Sequence, residues 1–137
     1  LASALSYTKD ETTLTHLLEE WKNKDVVKPQ DLAMSWYFTF LQHDFTQGTV
    51  WTWARDNWDW IKAALGGDMS FDKFVIYPAS TFKTYERLAE YKAFFEPQLS
   101  DLAISRNISM GIKEICARID LIDKEKAAVE AAIKATV

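Results

Sequence analysis

One cysteine, two histidines, three prolines and four glycines are all that 137 residues offer of the residue types that most often build sites and tight turns. A single thiol, Cys116, excludes an intrachain disulfide and makes a reducing compartment the simpler assumption. Two histidines, His16 and His43, are too few for a histidine-based zinc site. The glycines form no phosphate-cradling loop, and no G-x-S-x-G turn occurs. No apolar run approaches the roughly 20 residues of a membrane span. An excess of positive charge is also missing: 16 Lys and Arg stand against 20 Asp and Glu, for a net charge of -4. That balance argues against nucleic acid and anionic membranes as partners. The opening LASALSYTKD has no basic leader and no signal-type apolar core. It reads as the tail of an earlier helix, with Leu1 and Leu5 one turn apart.

What is present is apolar and aromatic. Hydrophobic residues make up 48% of the chain and aromatic residues 14%, which indicates a well-packed globular chain. Four of the six tryptophans fall within residues 49–65, TVWTWARDNWDWIKAAL. On a helix, Val50, Trp51, Trp53, Ala54, Trp58, Trp60, Ile61, Ala64 and Leu65 fill one half of the surface, and Arg55, Asp56, Asp59 and Lys62 the other. A helix with one neighbour needs an apolar stripe only about 100° wide. This one expects helices on two sides. Trp51 and Trp58 are read as structural, each bringing an indole N–H that needs a partner when buried. Asn57 interrupts the apolar arc, where an unpaired amide would cost about 1–3 kcal/mol. Its role is therefore read as structural too, through a bond to the backbone of an adjoining loop or helix end.

The other segments are also helical in pattern. Asp10 caps a helix carrying Leu14, Leu17, Leu18 and Trp21, which ends in the polar stretch from Lys22 to Lys28. Pro29-Gln30-Asp31 opens DLAMSWYFTFL, apolar nearly all round except along Ser35, Thr39 and Gln42, and so expected to be largely buried. A linker, His43-Asp44-Phe45, leads to the tryptophan helix, opened by Thr46 and closed by Gly66-Gly67 as a left-handed cap. Residues 70–79 read as a short helix stopped by Pro78, with a strand as the local alternative. Thr84 caps a helix with Leu88, Tyr91 and Phe95 on one face and Pro97 at its end. Ser100 caps the last long segment, where Ile104, Ile108, Ile112, Ile115, Ile119 and Ile122 recur at helical spacing. Asp123 caps a final alanine-rich helix, small enough in its side chains to dock closely and suited to a terminal position with little burial.

These elements predict an all-α domain, with antiparallel helical hairpins stacked as an α-solenoid over residues 1–137. Nothing in the pattern assembles an active site. His16 begins HLLEE, where Glu20 stands in place of the second histidine of an inverted zinc motif. Cys116 lies beside the isoleucine stripe and reads as a packed thiol. Glu19-Glu20 and the pair Asp56 and Asp59 read as solvated surface.

A resemblance adds what composition cannot. TVWTWARDNWDWI resembles the aromatic, Asn-Trp-containing helix in the C-terminal domain of aminopeptidase N-type zinc metallopeptidases. SALSYTKDETTLTHLLEEW resembles that family's short helix followed by a TKD-capped one, and KPQD its next helix start. FKTYERLAEYKAFFE resembles its Thr-capped helix ending in a Phe pair. SRNISMGIKEICARIDLIDKEKAAVEAAI resembles its closing long helix and terminal hairpin. The likeness spans nearly the whole chain, with the segments in the family's order. It implies a C-terminal fragment, itself non-catalytic, of a bacterial cytoplasmic enzyme that removes N-terminal residues from peptides. The zinc, its H-E-x-x-H and distant Glu ligands and a Gly-x-Met-Glu-Asn motif would lie in a catalytic domain upstream, the implied partner; none of those motifs occurs here. The family's C-terminal domain is a curved superhelix that caps the active site, encloses the substrate chamber and assists folding. Arg106 matches a basic residue that the family turns toward the chamber. On a helix it shares a face with Lys113 and Asp120, opposite the isoleucines; an ordinary exposed arginine is the alternative. Leu121 departs from the family, whose last hairpin often carries Trp there.

A free-standing helical interaction module is the competing expectation. A reading frame that begins at residue 1 would favour it; one that continues upstream into H-E-x-x-H would favour the peptidase. Loss of preceding helices would also leave an apolar face near Leu1, Leu5 and Leu14 open, which predicts self-association.

Overall fold

Asp10 starts the first described helix as its chemistry dictates. Its carboxylate accepts from the Thr12 amide at 3.1 Å and the Thr13 hydroxyl at 2.8 Å, capping α1 (Glu11–Glu20). The Thr13 hydroxyl, followed by the Thr12 amide, holds the Asp10 carboxyl below its ordinary value. The computed structural model describes residues 9–28, 31–67 and 71–136. All regular elements among them are helical, and they cluster as two compact units, Leu1–Thr81 and Phe82–Val137. The fold class is all-α, as expected.

In the first unit, Leu14, Leu18 and Trp21 form the buried face of α1 and its end. Leu14 is therefore covered, contrary to the open face expected around it; Leu1 and Leu5 lie outside the described residues. So do Pro29 and Gln30. The helix after Asp31 forms, but its first part, Leu32–Phe38, is wound as a π-helix before α2 (Thr39–Leu41). Leu32, Ala33, Tyr37, Phe40 and Leu41 are buried, while Met34 is 64% exposed. The expected polar line assumed 3.6 residues per turn. The wider π-helical turn leaves Thr39 half-buried and brings Met34 to the surface with Ser35 and Gln42.

The tryptophan helix expected over residues 49–65 is two helices, α3 (Asp44–Asp56) and α4 (Trp58–Leu65). Asn57 divides them at φ -111°, ψ 20°. Its carboxamide nitrogen donates to the Trp53 carbonyl at 2.8 Å, the same oxygen that accepts the Asn57 amide at 3.0 Å. A side chain that competes for the helix's own carbonyl is a recognised way to bend it. The start also differs. His43 is the N-cap of α3, and Thr46 lies inside its first turns, buried, with its hydroxyl donating to the Phe40 carbonyl. The left-handed glycine cap is absent: Gly66 sits at φ -59°, ψ -23°, and no described glycine has positive φ. Glycine serves there by close approach instead, because a Cβ at Gly66 would collide with the Lys62 carbonyl oxygen.

Pro78 does not stop the next helix, α5 (Lys73–Thr81), and no strand forms there. Ser70, where this helix was expected to begin, lies outside the described residues. A proline forfeits one N–H bond, and the surroundings offset it. Tyr37 stacks on Phe74 at 4.6 Å, Phe38 meets Tyr77 at 4.5 Å, and the Ser80 and Thr81 hydroxyls return to the carbonyls of Ile76 and Tyr77.

In the second unit, the Thr84 hydroxyl oxygen accepts the Arg87 amide at 3.2 Å and caps α6 (Tyr85–Phe95). Tyr91 and Phe95 are fully buried, with Leu88 half-buried beside them. A 3-10 turn over Glu96–Gln98 contains Pro97. Asp101, not Ser100, organises the start of α7 (Ser105–Thr136): its carboxylate accepts the Ala103 amide at 3.0 Å and its carbonyl the Ile104 and Ser105 amides. Ile104, Ile108, Ile115 and Ile119 are buried, and Ile112 and Ile122 half-buried, as the spacing predicts. The separate final helix capped by Asp123, and with it a terminal hairpin, does not form. α7 runs unbroken for 32 residues. The Asp123 carboxylate accepts the Tyr85 hydroxyl at 2.8 Å, and the Lys, Glu and Ala residues that follow are strong helix formers that carry α7 past it. Residues 123–136 are exposed throughout, so the alanine-rich segment has the little burial expected of it but does not dock among the described residues.

Candidate functional site

Two places on the chain gather candidate residues, one in each unit. In the first, Trp21 stands where α1 meets the π-helix and α3. Its ring lies 5.2 Å from those of Phe40 and Trp53 and 6.2 Å from Trp36, and Trp53 continues the chain of rings to Trp60 at 6.3 Å. Tilted and edge-on contacts of this kind suit the aromatic quadrupole. Trp51 is buried with the Arg55 guanidinium 5.0 Å above its ring, and Trp58 packs on Phe71 at 5.5 Å.

Beside Trp21 is a cavity of about 70 Å³ walled by Leu32, Trp60 and Leu65, with Lys22 and Lys24 at its rim. The Lys22 ammonium lies 5.7 Å over the Trp60 ring. The Trp21 indole N–H is buried and finds no acceptor among the described residues. The space is about half of the ~150 Å³ that admits benzene, enough for a small aliphatic group.

In the second unit the polar face of α7 carries Arg106, Lys113 and Asp120, all exposed and opposite the buried isoleucines. Arg106 has no ion pair or hydrogen bond among the described residues. Cys116 is half-buried with a free thiol. His16 is exposed on α1, whereas His43 is half-buried as the cap of α3. The structure does not bring the two histidines into a common ligand set: among the described residues no three His, Cys, Asp or Glu side chains could hold a metal ion. No helix among them is long and apolar enough to cross a membrane.

Three polar contacts in this unit escaped sequence reasoning, two of them between residues far apart in the chain. Arg118 donates to the Phe82 carbonyl and to the Glu114 carboxylate at 3.2 Å, and Tyr85 donates to Asp123. The hydrogen bond to Asp123 pushes the Tyr85 phenol above its ordinary value. Burial, and secondarily the Glu114 carboxylate, pushes the Tyr91 phenol up much further. Partners 36 and 38 residues apart leave no local signal.

Comparison with known proteins bears on the whole chain. Residues 1–117 match the ERAP1-like C-terminal domain family. Aminopeptidase N of Lactococcus lactis subsp. lactis is 63% identical over 134 residues, 98% of this chain and 16% of that protein. Aminopeptidase N of Lactococcus lactis subsp. cremoris strain MG1363 is 54% identical over 133 residues, 97% of this chain and 16% of that protein. Aminopeptidase N of Lactobacillus helveticus is 43% identical over 133 residues, with the same 97% and 16% shares. The chain thus spans 16% of the length of these relatives. The family match stops at residue 117, before the exposed half of α7.

Proposed function

This chain belongs to the ERAP1-like C-terminal domain family, and from that premise we propose that it is a non-catalytic C-terminal part of a zinc aminopeptidase that removes N-terminal residues from peptides. The observation that carries the reading is identity of 63% to an aminopeptidase N across 98% of the chain. In the parent protein these helical hairpins stack as a solenoid, cap the active site, shape the substrate chamber and support folding. The partner is the catalytic domain of the same polypeptide, and the parent works in the cytoplasm. Zinc is assigned to that catalytic domain, where the family resemblance places its ligands.

Arg106 is the residue we assign to the chamber wall. It is exposed and unpaired among the described residues, so its guanidinium is free to meet a peptide carbonyl or carboxylate. The test uses the isolated chain and the full-length parent on aminoacyl chromogenic substrates with added zinc. The parent is expected to be active and the isolated chain to stay at the buffer blank. In the parent, Arg106→Ala is expected to raise KM several-fold for longer peptides while sparing single aminoacyl substrates. Activity of the isolated chain well above the blank would overturn the reading, and unchanged peptide kinetics would remove Arg106 from the chamber.

A further inference from the structure

We propose that the exposed half of α7 is one side of a two-helix seam, and that its partner is an amphipathic helix with basic flanks from elsewhere in the parent polypeptide. The proposal rests on the reading that the chain works as part of a longer protein.

The seam begins inside the second unit. Ile108, Ile112, Ile115, Ile119 and Ile122 recur at alternating steps of four and three, and α6 packs against this half of α7. The same alternation continues without a break through Lys126, Val129, Ile133 and Thr136. That is the heptad spacing at which one helix keeps a constant face toward another. Beyond Ile122 the face is open: Val129 is 58% exposed and Ile133 57%. The alanines between them keep the backbone accessible to close approach.

The flanking charges say what kind of helix fits. Asp123, Glu125 and Glu130 occupy the positions that border such a seam, and all three are acidic. Border positions face the partner's border positions. A second copy in parallel would set Glu125 against Glu130 and Lys126 against itself. A second copy in antiparallel register over the open half would set Asp123 against Glu130, or Glu130 against itself. Like charges in these places select against a pairing. A helix with Lys or Arg along both borders, and one carboxylate opposite Lys126, satisfies every charge on this face. The relatives that match the chain carry most of their length outside the matched stretch, which supplies ample sequence for such a helix.

The test is hydrogen exchange and zero-length carbodiimide cross-linking on the full-length parent. Amides of residues 124–136 are expected to be protected at least tenfold more in the wild type than in the Val129→Asp/Ile133→Asp variant, with residues 105–119 unchanged in both. Cross-links should join Asp123, Glu125 or Glu130 to lysines elsewhere in the same molecule, as mixing of isotope-labelled and unlabelled protein would report. A second variant, Glu125→Lys/Glu130→Lys, keeps the helix formers and should lose both the cross-links and the protection. Fast exchange of residues 124–136 in the wild-type parent would overturn the proposal. So would cross-links that join two molecules, which would make a second copy the occupant, or protection indifferent to either variant. A parent without aminopeptidase activity would sink the functional reading instead, while leaving the exchange comparison readable.

Discussion

Among the described residues, Tyr91 is the one whose titration the fold shifts furthest. Its phenol is fully buried, with the Glu114 carboxylate adding to the effect of burial. The folded state therefore holds the phenolic proton more tightly than the unfolded chain, whose tyrosines titrate near pH 10. The stability linked to this proton is intact below about pH 10 and is lost as pH rises above it, by up to about 1.4 kcal/mol per pH unit. Urea unfolding of the wild type at pH 9 and pH 11 should show the steeper loss, and Tyr91→Phe a shallower one; equal slopes would mean the phenol ionises without consequence. Asn57 illustrates what a single position reveals beforehand. An amide in an apolar arc demands a partner, and that demand was legible. That the partner would be the Trp53 carbonyl, splitting the helix, was not, because a bent and a straight helix share the same side-chain period.

Among the elements, the helix starts at Asp10 and Thr84 were legible because their chemistry is complete within three residues. The ends and interruptions were not. Pro78 stays inside α5 because rings from the π-helix hold it there, and α7 passes Asp123 because the Lys, Glu and Ala residues after it favour the helix more than a cap at that position favours a break. Gly66 is a further case, since glycine after a helix suggests positive φ and the actual need is space next to the Lys62 carbonyl. Gly66→Ala should therefore destabilise by more than about 1 kcal/mol, against the usual gain of about 0.4–1 kcal/mol when φ is ordinary and nothing obstructs the methyl. Chemical denaturation of the two proteins decides the sign. A stabilised variant would show that the end of α4 yields to the methyl at little cost.

For the molecule as a whole, the all-α class and the family were legible because helical period and segment order survive in any single chain of this kind. The candidate site was less so. Arg106 could be placed on an open face because the isoleucine period fixes the opposite one, whereas the cavity beside Trp21 depends on walls from three separate helices. The two units also differ in their cores: every buried tryptophan lies in the first, and every buried isoleucine except Ile61 lies in the second, beside Phe82, Tyr91 and Phe95. Ile115→Ala, at a fully buried position of the second unit, should cost about 2–5 kcal/mol and lower the denaturation midpoint followed by circular dichroism. An unchanged midpoint would mean the isoleucine row is not the spine of its unit. All six indoles precede Thr81. The ultraviolet glow of this polypeptide is consequently a broadcast from one half alone, and the other half, lit only by Tyr85 and Tyr91, can melt unseen by anyone watching tryptophan light.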